Sequence, residues 1–96
     1  MRADPNELST DQLYVSIVSA DPPCRADPEL FFEPDQRESK AQRALREQSA
    51  AALCLECPVY WLCLAYAVRT RPEHGIYAGY TPDEIQVFAK VYGPAA

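Results

Sequence analysis

The sequence predicts an all-α domain of about four helices, and three observations favour this class. Helix-start patterns recur along the 96 residues, and prolines separate the segments that follow them. No stretch alternates apolar and polar residues as a half-buried strand would. A chain this short buries a limited share of its surface, so we expect a disulfide, a metal or a partner to support the fold.

The first part of the chain is predicted to form one helix and then a single helical turn. Ser9 and Gln12 have the spacing of a capping box, so they predict the start of the first helix. The Asp-Pro-Pro sequence at 21–23 is expected to end it, because proline lacks a backbone N–H and its ring clashes inside a helix. Pro28 has the fixed φ that suits the first position of a helical turn reaching Phe32.

A longer helix is predicted from about residue 36 to about residue 53, with Asp35 as its cap and Glu38 three residues later. Helical spacing places one set of residues on a common face: Ala41, Ala44, Leu45, Gln48 and Ala52. A second set, spaced by threes, predicts a separate and solvated basic stripe: Arg37, Lys40, Arg43 and Arg46.

Two further helices are predicted in the second half of the chain. Cys57-Pro58 is expected to open the third helix, because proline suits a first helical position. This helix is apolar on more than one side, through Val59, Trp61, Leu62, Leu64, Ala65 and Val68. Thr81, followed by Glu84 three residues later, predicts a last helix that ends at about Val91.

Charge is distributed unevenly along the chain, whose net charge is −5. Residues 1–33 contain seven acids and two arginines, whereas the remainder carries seven residues of each sign. No part is strongly basic, which argues against a domain that grips DNA by itself. The N-terminus lacks the apolar core of a secretory signal, and no run is long and apolar enough for a membrane helix, so we expect a cytoplasmic protein.

Four cysteines carry the candidate chemistry. Cys54, Cys57 and Cys63 read Cys-x2-Cys-x5-Cys, and Cys24 lies 29 intervening residues upstream. Disulfides are rare in the cytoplasm, so cysteines there more often bind metal or perform redox chemistry. Four thiolates form the full ligand set of a [4Fe–4S] cluster or of an all-cysteine zinc ion. We expect the link between the two middle helices to aim two sulfurs inward, and a loop carrying Cys24 to complete the set.

Two alternatives to an iron–sulfur cluster remain open. Structural zinc sites usually contain two close Cys-x2–4-Cys pairs, and this chain has one, so we favour iron–sulfur. A dithiol oxidoreductase acting through Cys54 and Cys57 would expect a strand before the motif, where this sequence predicts a helix. Ordinary burial as a small hydrophobic residue could explain Cys63 alone. We expect Trp61 to pack in the core near the cysteines and His74 to be a solvated loop histidine.

Several segments together resemble the WhiB-like transcription regulators of actinobacteria. They are Cys24-Arg25, Asp-Pro-Glu-Leu-Phe-Phe at 27–32, Cys-Leu-Glu-Cys-Pro-Val at 54–59 and Cys-Leu-Ala-Tyr-Ala at 63–67. The family's loop Gly-Val/Ile-Trp-Gly-Gly corresponds to Gly-Ile-Tyr-Ala-Gly at 75–79. The resemblance covers about residues 20–89, and its motifs are specific in combination.

The resemblance implies a small helical domain wrapped around a [4Fe–4S] cluster that reacts with oxygen or nitric oxide, with Cys24, Cys54, Cys57 and Cys63 as ligands. It further implies a partner, the C-terminal domain (region 4) of the primary sigma factor of RNA polymerase, and altered transcription as the output. The chain would divide into an acidic helical lead-in (1–19), the cluster-binding domain (20–92) and a short tail (93–96). The residues expected to contact the partner are Phe31, Phe32, Ile76, Tyr77 and Tyr80.

This chain departs from the family pattern at two places. Tyr77 and Ala78 replace the usual Trp and Gly, and alanine penalises a positive φ, so we expect an altered turn. Family members that contact DNA carry a basic tail after the last helix, whereas Lys90 is the one base near this end. We therefore expect weak or indirect contact with promoter DNA and an action as a repressor or competitor. No catalytic pair or phosphate loop is recognisable, so an enzyme is not expected.

Overall fold

The computed structural model describes residues 7–92. This part of the chain forms five α-helices: α1 (Thr10–Ser19), α2 (Pro28–Phe31), α3 (Lys40–Leu55), α4 (Tyr60–Thr70) and α5 (Pro82–Tyr92). A 3-10 turn, Pro23–Arg25, precedes α2. Between residues 7 and 92 there is no strand, and one isolated bridge joins Tyr77 to Tyr80. The all-α prediction is confirmed, and α2 is the predicted single turn.

Two other expectations concern the ends and the membrane. The predicted tail at 93–96 and the first six residues of the predicted lead-in lie outside the described residues. None of the five helices is both long enough and apolar enough to cross a membrane.

Local capping signals set the starts of α1 and α5 where the sequence predicts them. The Ser9 hydroxyl accepts the Gln12 backbone N–H at 3.1 Å, and the Ser9 N–H donates to the Gln12 side chain at 2.8 Å. Thr81 and Glu84 form the same reciprocal pair before α5, at 3.3 and 2.9 Å. Each pair satisfies two backbone N–H groups that the first helical turn leaves without partners.

The predicted start of α3 is wrong by four residues. Ser39, not Asp35, caps the helix, and its box partner is Gln42. Glu38 instead accepts two hydrogen bonds from the Arg46 guanidinium, at 2.8 and 3.1 Å. Arg46 also donates to the Leu30 carbonyl at 3.2 Å, which ties α2 to α3. A helix starting at residue 36 would separate Glu38 from Arg46 by about 12 Å along its axis, so the non-helical backbone before Lys40 permits the pair.

The orientation of α3 also differs from the two predicted faces. The predicted common face is exposed to solvent along its whole length, from Ala41 to Ala52, and Leu45 is 66% exposed. The buried side is the one that carries Ala50 and Cys54. The basic stripe is interrupted, because residue 37 precedes the helix and Arg46 is ion-paired. Spacing shows which residues share a face, but not which face meets the rest of the protein.

The helix α4 begins two residues later than predicted, and its tryptophan faces solvent. Cys57 and Pro58 lie in the turn before the helix, with Val59 as the residue preceding the first turn. Trp61, expected in the core, is 66% exposed and packs edge-on against Tyr60 at 5.0 Å. It lies at the margin of the buried face in the first turn of α4, and the inward positions are occupied further along by Leu64, Ala67 and Val68.

The chain from α4 to α5 contains a tight turn that covers the end of α3. The backbone groups of Tyr77 and Tyr80 exchange two hydrogen bonds, at 3.0 and 2.9 Å. Ala78 and Gly79 between them have φ values of 53° and 83°. Two successive positive φ values define a type I′ turn, the turn that best matches two closely paired strands. Ala78 is buried in the core formed by α4 and α5.

Leu13 anchors α1 against α4, and its removal tests this packing. Leu13 is completely buried, whereas Val15 on the same helix is 61% exposed. We expect Leu13→Ala to lower the free energy of unfolding by about 2–5 kcal/mol, through lost apolar burial and the cavity it leaves. Val15→Ala is the control and should change it by less than about 0.5 kcal/mol. Equal effects in chemical denaturation would show that α1 does not pack as described.

Ala78 should tolerate glycine better than another buried alanine does. Glycine removes the left-handed strain of about 1–2 kcal/mol. It also loses a buried methyl group worth about 0.8 kcal/mol and adds unfolded-state entropy worth about 0.5–1 kcal/mol. These effects nearly cancel, so Ala78→Gly should change the free energy of unfolding by less than about 1 kcal/mol. Ala67→Gly, in a helix of the same core, should cost about 2 kcal/mol in the same denaturation experiment. Comparable losses for the two variants would contradict the turn geometry.

Candidate metal centre

All four cysteines border one cavity of about 340 Å³. Cys24 lies on the 3-10 turn, where a loop was predicted. Cys54 is in the last turn of α3, Cys57 is in the turn that follows, and Cys63 is in the first turn of α4. The chain thus brings together four thiols from four local elements.

Short backbone hydrogen bonds fix the positions of the three later cysteines. The Cys57 N–H donates to the Cys54 carbonyl at 3.1 Å, and the Tyr60 N–H donates to the Cys57 carbonyl at 3.2 Å. The Cys63 N–H donates to the Val59 carbonyl at 2.9 Å. These bonds make the Cys-x2-Cys link a compact corner between α3 and α4, so the three sulfurs face one volume.

The remaining walls of the cavity are mostly apolar. They come from α1 and the segment after it, from α2, and from the loop before α5: Ile17, Val18, Pro22, Phe31, Phe32, Ile76 and Tyr77 among others. The Ile76 N–H donates to the Phe31 carbonyl at 2.7 Å, which holds the loop against α2. Sequence reasoning assigned residues 1–19 to a lead-in and missed the contribution of α1. The short Pro-Pro link at 22–23 could have indicated this contribution, because so short a link keeps Cys24 close to the end of α1.

Burial disfavours charge on these thiols. It raises the pKa of Cys63 to about 12, and it is also the main cause of the raised pKa values of Cys54 and Cys24. The other cysteines add to each increase, because neighbouring thiolates repel one another. A nucleophilic cysteine needs a lowered pKa, so this environment suits metal binding better, since a bound cation deprotonates its thiol ligands.

Backbone N–H groups from the type I′ turn partly offset this effect. The Gly79 and Ala78 N–H groups lower the pKa of Cys54, and the Ala78 N–H lowers that of Cys63. Donors of this kind stabilise sulfur that carries negative charge and tune the redox potential of iron–sulfur clusters. Sequence reasoning treated this loop as a partner contact and did not identify it as a wall of the cysteine cavity.

The thiols surround a volume rather than a single point. Within residues 7–92, no three His, Cys, Asp or Glu side chains are grouped so that they could hold one metal ion. A zinc site would require its sulfurs at about 2.3 Å from one centre. A [4Fe–4S] cluster takes its four thiolates at the outside of a larger inorganic core. The apolar cavity, its four thiols and its N–H donors fit the cluster in this respect.

Of the five residues predicted to contact a partner, four border this cavity, whereas Tyr80 lines a separate groove beside α5, and the five differ in exposure. Phe31 and Ile76 are buried, at 2% and 7% exposure, and they pack in one core cluster. Phe32 is 47% exposed, while Tyr77 and Tyr80 are of intermediate exposure. The two adjacent phenylalanines therefore divide between core and surface.

The loop before α5 approaches Phe32 closely. Gly75 has a φ of 92°, and a Cβ there would lie 2.7 Å from Cε1 of the Phe32 ring. Glycine is therefore required at this contact. His74, next to it, has a 75% exposed side chain with Nδ1 3.3 Å from a Glu33 carboxylate oxygen. The prediction of a solvated loop histidine is confirmed.

Comparison with known proteins places these features in a family. The family model described as transcription factor WhiB matches residues 19–87. Over 62 residues the chain is 44% identical to the transcriptional regulator WhiD of Streptomyces coelicolor, covering 64% of this chain and 54% of that protein. Over 68 residues it is 35% identical to the redox-responsive transcriptional regulator WhiB3 of Mycolicibacterium smegmatis, covering 70% of each.

A third relative has a similar degree of likeness. It is the redox- and pH-responsive transcriptional regulator WhiB3 of Mycobacterium tuberculosis, 34% identical over 68 residues, with 70% of this chain and 66% of that protein covered. The matched part thus spans about half the length of WhiD and about two thirds of this WhiB3. The family match extends over residues 19–87, which is most of this chain. The chain therefore belongs to the WhiB family of transcription factors.

Proposed function

We propose that this protein is an iron–sulfur transcription regulator that binds the C-terminal domain (region 4) of the primary sigma factor. The observation that carries the proposal is the single apolar cavity bordered by all four cysteines. Cys24, Cys54, Cys57 and Cys63 would hold a [4Fe–4S] cluster. When bound, the cluster would supply redox chemistry and reactivity towards oxygen or nitric oxide.

The residues around the cavity have three roles in this proposal. Burial in apolar walls limits the access of water to the sulfurs. The N–H groups of Ala78 and Gly79 stabilise thiolate charge on Cys54, and the Ala78 N–H does so on Cys63. Phe32 borders the cavity and is also half exposed, so a change inside the cavity would alter the surface that a partner contacts.

The distribution of charge supports action through a protein partner. On α3, Arg46 is paired with Glu38, and Arg43 lies 3.6–3.8 Å from the carboxylates of Glu38 and Glu47. These arginines therefore offer little free positive charge to DNA phosphates, and the whole chain has a net charge of −5. We propose weak or indirect contact with promoter DNA, an action in the cytoplasm as a repressor or competitor, and no enzymatic role. The relatives' names describe transcriptional regulators, which supports a role in transcription.

The two competing functions make different predictions. A zinc-stabilised module would contain zinc and no sulfide. A dithiol oxidoreductase would reduce disulfide substrates and lose this activity in Cys57→Ser. The raised pKa of Cys54, caused mainly by burial, opposes the second function because exchange requires a thiolate.

Cluster content is the first test of the proposal. Anaerobically purified protein should contain about four irons and four sulfides per chain and absorb visible light. Replacing any one of the four cysteines by serine should remove most of the iron and loosen the fold, because metal binding is coupled to folding. Leu55→Ser is a matched control: Leu55 is 76% exposed and adjacent to Cys54, so iron content should be unchanged. A colourless, iron-free protein with an intact fold would refute the cluster.

Sigma binding is the second test and uses the cluster-loaded protein. Phe32→Ala should weaken affinity for sigma region 4 by about tenfold or more, the size of effect typical of an aromatic anchor. Iron content measured on the same sample should stay unchanged. Leu45→Ala removes an even more exposed apolar side chain from the outer face of α3 and should leave affinity unaltered. Cluster-loaded protein that shows no affinity for sigma would remove this partner while leaving the cluster assignment intact.

A further inference from the structure

The outer face of α5 is apolar and lies apart from the cysteine cavity. Val87 and Val91 are 62% and 65% exposed, while Ile85 and Ala89 on the opposite side are buried. A shallow groove of about 410 Å³ runs beside them, lined by Tyr80, Asp83, Glu84, Val87, Phe88 and Val91. No residue of α5 borders the cysteine cavity. The two valines and the apolar lining of the groove together form a contiguous apolar patch, the kind of surface that marks contacts between proteins.

The described part of α5 has three exposed charges. Glu84 accepts the Thr81 N–H in the helix cap, whereas Asp83 and Lys90 at opposite ends complement a second, antiparallel copy of the helix. Asp83 and Lys90 are both exposed, and they are seven residues apart, so they lie about two turns from one another on the same side of the helix. Val87 lies between them. A two-fold axis passing beside Val87 would oppose Asp83 of each copy to Lys90 of the other, forming two equivalent ion pairs.

In the same two-fold arrangement, a valine of the second copy fills the groove. In an antiparallel pair centred on Val87, Val91 of one helix is level with Asp83 of the other and so faces the groove beside it. The rings of Tyr80 and Phe88, whose centres are 5.8 Å apart, provide an apolar wall there. Each copy thus donates a valine and receives one. Antiparallel helices in addition oppose their dipoles favourably.

We propose that α5 is a self-complementary docking face through which two copies of this chain form a weak dimer. One eleven-residue helix with Tyr80 offers less area than a standard stable interface. The dimer therefore forms only at high protein concentration, with a dissociation constant on the order of 100 μM. The docking face lies apart from the four cysteines, although it includes Tyr80, one of the residues predicted to contact sigma.

Charge reversal tests the dimer directly. Sedimentation equilibrium of the full chain, purified anaerobically, should show association as concentration rises. Asp83→Lys and Lys90→Asp each place like charges opposite one another in both pairs, so each should weaken the dimer by about tenfold or more. The double variant restores opposite charges and should recover most of the affinity. Arg37→Asp makes the same charge change away from this face and serves as the control.

Two controls separate loss of the dimer from loss of the fold. Circular dichroism establishes that every variant keeps its helices, and recovery in the double variant excludes unfolding as the cause of a lower dimer affinity. A chain that stays monomeric up to on the order of 1 mM overturns the proposal and leaves the face to a different protein. The proposal is also overturned if neither single charge reversal weakens association, or if the double variant does not recover it.

Discussion

Convergence of four partly buried thiols on one cavity is the constraint on which the rest of this structure depends. Burial raises the pKa values of Cys24, Cys54 and Cys63, so together they form an environment that resists thiolate charge until a cation compensates it. Each thiol comes from a different structural element. Cys24 lies in the 3-10 turn, Cys54 at the end of α3, Cys57 in the hydrogen-bonded turn after α3, and Cys63 in the first turn of α4. Two of the helices, α3 and α4, deliver cysteines to the cavity, and α1 and α2 supply part of its apolar wall.

The cavity separates two small hydrophobic cores. One core consists of residues from α4, the type I′ turn and α5, and Cys63 packs against it. The other is built on Phe31, Ala50 and Ile76, with Cys24 and Cys54 at its edge. Neither core is large, and within the described residues the loop joining Ile76 to Ala78 belongs to both. A cluster bound by cysteines of both cores would link them covalently, which gives a physical reason for folding to depend on it.

The sequence predicted those features that depend on neighbouring residues. The caps at Ser9 and Thr81 were correct because each requires only a partner three residues away. The start of α3 was wrong because two cap patterns compete there, and the choice between them depends on Arg46, eight residues beyond Glu38. The prediction that Trp61 packs in the core was wrong, because its exposure depends on tertiary packing, which no local pattern records. Cysteine spacing predicted a common site, whereas the wall supplied by α1 required the tertiary fold.

The type I′ turn shows how a departure from the family signature can leave a site intact. Alanine at position 78 would disfavour the turn by its intrinsic preference, yet Ala78 adopts a φ of 53° and is buried. Its methyl group gains burial that offsets most of the left-handed strain. The backbone has two successive positive φ values here, and the N–H groups of both turn residues face the Cys54 sulfur. Tyr77, which stands where the family loop has tryptophan, lies at the boundary between the cavity and solvent.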